Sequence, residues 1–103
     1  MSVADEATPI RHIKKPDEVW GKGLDFSDAL GSATISTTNI SAIDLSDNQS
    51  ANVATDGGNK DGVVTVVLSG GQVGHKYQVT CQITTSAGEV YEKDIIMSVV
   101  SVI

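Results

Sequence analysis

The side chains able to do chemistry are few and scattered. His12 and His75 are the two histidines, Cys81 is the single cysteine, and thirteen carboxylates are spread along the chain. A Ser/His/Asp relay needs a nucleophile, a base and an orienting acid to converge, and no nucleophile elbow or other local pattern marks such a site. His75 sits in a turn before a strongly alternating segment and reads as exposed, while His12 lies in an N-terminal stretch. Cys81 falls on the apolar side of the alternation, which suits a small core side chain rather than a reactive thiolate. A lone cysteine can form neither an internal disulfide nor a multi-cysteine zinc site. The expectation is a protein that is not an enzyme, with no catalytic residues, no cofactor and no metal.

Two loops imitate ligand motifs and fail on chemistry. Asp56-Gly57-Gly58-Asn59-Lys60-Asp61-Gly62 is spaced like a calcium loop, but Gly58 and Lys60 stand where oxygen ligands are needed. Gly70-Gly71-Gln72-Val73-Gly74 has the glycine content of a phosphate cradle, yet it leads into a strand pattern rather than a helix N-terminus. Its glycines are expected to supply positive φ in a tight inter-strand connection. Trp20, the only tryptophan, reads first as a seal on one end of a small core and second as an anchor for a partner.

The elements that position these residues are strands. With 103 residues the chain fits one domain, and 4% aromatic content leaves a core built from Val, Ile, Leu and Ala. A net charge of −6 is the opposite of the cationic footprint that nucleic acid requires. The start of the chain lacks the basic-then-apolar pattern of a signal peptide, and no run is long enough for a membrane span. In Lys76-Tyr77-Gln78-Val79-Thr80-Cys81-Gln82-Ile83-Thr84, Tyr77, Val79, Cys81 and Ile83 share one face, and Val90–Val100 pairs back across a turn at residues 85–88. Val63–Leu68 is an apolar run suited to a central strand covered on both faces. Shorter strands are expected at residues 22–26 and 34–40, the latter with a bulge because Ile35 and Ile40 differ in parity. One helical turn fits Ser27–Leu30, stopped by Gly31. Residues 44–62 read as loops with a weak strand at 51–55. The fold class is all-β: a small antiparallel β-sandwich with Leu24, Phe26, Val64, Val66, Leu68, Val79, Cys81, Ile83, Ile95, Met97 and Val99 inside.

Residues 1–18 stand apart as an extended N-terminal arm, and residues 19–103 form the sandwich. Pro9, Pro16 and mixed charges leave the arm too little apolar surface to order itself, so it is expected to be mobile alone and ordered in an assembly. Ile10, Arg11, Ile13, Lys14 and Lys15, with Trp20, are the candidate interface, two apolar groups flanked by basic ones. Loss of residues 1–15 is then expected to spare the fold.

Particular residues carry a resemblance. Val19-Trp20, Leu24-Asp25-Phe26-Ser27-Asp28-Ala29-Leu30 and Gly31-Ser32-Ala33-Thr34-Ile35 resemble the opening of a family of small tailed-phage virion proteins with an immunoglobulin-like sandwich, the phage fiber-tail adaptors. Leu68-Ser69-Gly70-Gly71-Gln72-Val73-Gly74-His75-Lys76-Tyr77-Gln78-Val79-Thr80 and Ile83–Glu92 are similar to its closing strands and hairpin. The likeness spans roughly residues 17–100. It departs at Asn39–Lys60, where the family has a shorter, more apolar strand, and this leaves the register of the middle strands open. The resemblance implies a structural virion protein joining tail and fibres in many copies, made in the host bacterial cytoplasm, with other virion proteins as partners and neither nucleic acid nor membrane among them. A capsid decoration protein is the alternative within that class. A carbohydrate- or cell-surface-binding module is the alternative outside it, weakened because Trp20, Phe26, Tyr77 and Tyr91 are the only aromatics and two of them are expected inward.

Overall fold

A computed structural model describes residues 10–102. In chain order the elements are β1 (Ile10–Lys14), β2 (Trp20–Asp25), α1 (Ser27–Leu30), β3 (Ile35–Asp44), β4 (Gln49–Ser50), β5 (Ala54–Lys60), β6 (Val63–Leu68), β7 (Lys76–Thr85) and β8 (Val90–Val99). They form a five-stranded sheet, β1-β8-β7-β3-β4, packed on a three-stranded sheet, β2-β6-β5. Every pairing is antiparallel except that of β1 with β8, which is parallel.

Period-two patterning decides which side chains meet between the sheets. All eleven residues expected inside are no more than 2% exposed, and Ala42, Val53 and Tyr77 join them. Tyr77 is closed over by the glycine-rich connection: its hydroxyl accepts the Gln72 N–H at 2.9 Å. Gly71, at φ +93°, lies so close that a Cβ there would sit 2.7 Å from a Val99 methyl. Gly70 and Gly74 also have positive φ, so this loop is the tight connection its composition suggests. The expected shift in β3 falls between Ile35 and Thr37, after which Ile40, Ala42 and Asp44 stand opposite Cys81, Val79 and Tyr77.

Three sequence expectations are corrected. Residues 54–60 are not loop but β5, a solvent-facing edge strand whose pairing with β6 jumps between Asp56 and Asn59. The missed signal is Asp61-Gly62, a two-residue connection with φ of 53° and 83° at its two positions, the geometry of a hairpin turn. β6 is the middle strand of its sheet, but only Val64, Val66 and Leu68 are sealed; Val63, Thr65 and Val67 are half-buried. Their outer side is bordered by Gly21, Gly23 and Gly57, which offer no side chain to cover them. Part of the stretch set apart as an arm belongs to the larger sheet, because Ile10–Lys14 pairs residue for residue with Ile95–Val99. Residues 1–9 lie outside the described residues. β1 pairs with the chain's own β8, so removing residues 1–15 takes an edge strand from the larger sheet.

Val79→Ala deletes methyls at the centre of the core and is expected to cost about 1–3 kcal/mol in chemical denaturation, with Ser41→Thr on the exposed face changing stability by less than ~0.5 kcal/mol.

Candidate functional site

The chemistry-bearing residues of the N-terminal stretch are sorted by strand parity. Along β1, Ile10, His12 and Lys14 turn inward, and Arg11 and Ile13 turn out. Ile10 packs on the core, and Lys14 is fully buried. A lysine is tolerated there because its ammonium donates to the carbonyls of Lys15 at 2.7 Å and Pro16 at 3.2 Å. Burial lowers its pKa, against the pull of Glu18 and Asp17.

Those carbonyls belong to the turn that carries the chain from one sheet to the other. Pro16 sits at its second position, where a fixed φ is favourable. The Glu18 N–H donates to the Lys15 carbonyl at 3.1 Å, and the Lys15 N–H returns a bond to Glu18 Oε1 at 2.7 Å. That backbone donor, more than any other group, holds the Glu18 carboxyl below its ordinary pKa, and a side-chain hydrogen bond with Trp20 adds to it. Trp20, in turn, meets the His12 ring edge to face at 5.2 Å. His12 Nε2 is buried without a hydrogen-bond partner among the described residues. Burial first, then Lys22 and Lys14, lower the His12 pKa, and Glu18 opposes them.

The outcome is an edge of the sandwich with an apolar and basic surface. Ile13, Val19 and Trp20 are 57%, 66% and 45% exposed, beside the exposed Arg11 and Lys15. Four of the seven basic residues, Arg11, Lys14, Lys15 and Lys22, fall in residues 11–22 with only two of the thirteen acidic ones, Asp17 and Glu18. Of the six residues singled out from sequence, Arg11, Ile13, Lys15 and Trp20 therefore reach solvent. Ile10 is half-buried against the core and lies on the opposite face from Ile13, so the two cannot act as one apolar pair, and the sealed Lys14 offers no surface charge. Trp20 borders the core without sealing it. Val19 escaped notice because nothing in its local pattern reports its exposure.

Elsewhere the reactive groups are tied into structure. His75 is half-buried rather than free in a turn, with Nδ1 2.7 Å from Asp44 Oδ2. The Asp44 carboxyl is held below its ordinary pKa first by the Ser46 N–H and also by His75. Burial pushes the Cys81 thiol up to about 11. Among the described residues no three His, Cys, Asp or Glu side chains are grouped to hold a metal ion. Among the described residues no helix is long and apolar enough to cross a membrane. Shallow grooves of about 350 Å³ beside Asp44 and Tyr77, and about 320 Å³ beside Ser27 and Asp61, contain neither histidine nor cysteine.

The family model of the podophage GP4 fiber-tail adaptor protein gp77 matches residues 14–98. The chain belongs to this family. The adaptor match begins at the buried Lys14 and ends in β8, so it takes in both sheets and the Lys15–Glu18 turn, while Arg11 and Ile13 precede it. No curated protein matches the chain.

Lys14→Met keeps the aliphatic stem and deletes the ammonium, leaving the Lys15 and Pro16 carbonyls without that donor; thermal and denaturant unfolding are expected to show a loss of about 1–3 kcal/mol. His12, whose folded pKa lies below the unfolded value of 6.5, contributes stability that is complete above that value and is lost as pH falls from there through the lower folded pKa. Unfolding measured from about pH 8 to pH 5 should show the protein losing stability relative to His12→Gln on the acid side.

Proposed function

We propose that the protein is a non-enzymatic structural component of a phage particle, an adaptor that joins tail and fibres through repeated protein–protein contacts. The family match over residues 14–98 carries this reading. The exposed β1–β2 edge supports it by supplying what an otherwise acidic molecule needs to hold a neighbour, apolar anchors among basic groups. Copies of net charge −6 repel at short range, so a symmetric assembly needs such local attraction. Arg11, Ile13, Lys15, Val19 and Trp20 form the contact, with other virion proteins as partners.

The strand orders also support an immunoglobulin-like reading of the sandwich. β8-β7-β3 facing β2-β6-β5 follows the order of the two sheets of that fold. Tyr77, near the start of β7 with its hydroxyl on backbone five residues upstream, has the placement of that fold's tyrosine corner. A core of this kind gives a rigid body on which an edge can be presented.

Quantitative mass spectrometry of purified particles tests the function. The chain is expected in fixed copy number commensurate with tail symmetry. Copies in the hundreds would assign it to the capsid surface instead, and its absence from particles would overturn the structural reading.

A further inference from the structure

Among the described residues the sandwich has four edge strands, and three are blunted in ways that discourage pairing. β4 is two residues long. β5 carries Gly57 and Gly58 within its register jump. β2 contains Gly21 and Gly23 and turns Lys22 towards the inner face. β1 is different: its five residues, Ile-Arg-His-Ile-Lys, include no glycine, proline or bulge.

The direction of its backbone groups follows from one bond. The Val100 N–H donates to the Lys14 carbonyl at 3.0 Å, and in a parallel pair alternate residues aim both polar groups at the same neighbour. Ile10, His12 and Lys14 thus bond to β8, and the N–H and C=O of Arg11 and Ile13 face outward. Among the described residues no strand lies beyond them. On the outer face the side chains of Arg11 and Ile13 stand beside Ile96 and Ser98, and on the inner side the edge is flanked by His12 and Trp20.

We propose that this edge accepts an extended acidic segment of another protein of the particle as a sixth strand of the larger sheet. Its identity as a particle protein rests on the adaptor reading; the mode of pairing does not. A carboxylate opposite Arg11 and an apolar residue two positions away opposite Ile13 satisfy the outer face, and the residue between them meets Trp20. A second copy pairing through its own β1 is disfavoured, because that brings Arg11 and Lys15 of both copies together. The other edges of a second copy are the blunted ones.

The test uses the full chain, isotope-labelled, with a nine-residue synthetic peptide of alternating valine and glutamate and its valine–lysine counterpart. Hydrogen exchange at the Arg11 and Ile13 amides is expected to slow at least tenfold with the glutamate peptide and to stay unchanged with the lysine peptide. Ile13→Pro removes an outward N–H that makes no bond to β8, so it should abolish binding while the amide spectrum of β7 and β8 is kept. Arg11→Glu, which leaves the backbone alone, should reverse the preference between the peptides. Failure of the glutamate peptide to bind, equal binding of both peptides, or binding without protection of these two amides overturns the proposal. In particles, Ile13→Pro or Arg11→Glu protein present at the wild-type copy number overturns the strand addition and leaves the adaptor reading standing. Wild-type chain missing from particles overturns the adaptor reading alone.

Discussion

β7 is hydrogen-bonded along both sides, to β3 and to β8, and every second one of its residues from Tyr77 to Thr85 is sealed from solvent. A slip of one residue against either neighbour would turn Val79, Cys81 and Ile83 outward and bring Gln78, Thr80 and Gln82 into the core. That penalty fixes the register of the large sheet. Once it is fixed, Ala42 must sit on Val79, Ile95 must sit beside it from the other side, and the three-stranded sheet must present Leu24, Val64, Val66 and Leu68 to fill the remaining space. β1 inherits its register from β8, so even the candidate interface is placed by the same alternation.

Legibility in the sequence tracks how much burial each segment carries. β6, β7 and β8 announce themselves because apolar residues recur at period two between turn signals, and the whole expected core is found inside. β5 stayed hidden because six of its seven residues face solvent and so carry no apolar pattern. Its pairing is set by the Asp61-Gly62 turn and by the strand it returns along. Strand structure at an edge is held by backbone bonds, which leave little trace in side-chain type.

The candidate site was half legible for a related reason. Ile10 and Ile13 suggested one apolar pair, yet a strand sends residues three apart to opposite faces. Lysine at position 14 looked like a surface charge, because burying an ammonium without partners is prohibitive. Here the partners are backbone carbonyls of the next two residues, aimed at the ammonium by a proline-containing turn. The basic character of the stretch was visible; which of its charges reach solvent was decided by parity and by that turn.

The parallel pairing of β1 with β8 has a mechanical consequence. Ile10 lies beside Ile95 and Lys14 beside Val99, so the chain enters β1 at one end of the pair and leaves β8 at the other. Tension applied between the two ends of the chain pulls these strands along their own axes in opposite senses. The bonds between them are then loaded together in shear, rather than opened one at a time as they would be by a force that peeled the strands apart. A sandwich built this way meets stretching along the sheet with all the β1–β8 bonds at once, while its fold is only as stable as its small aliphatic core makes it.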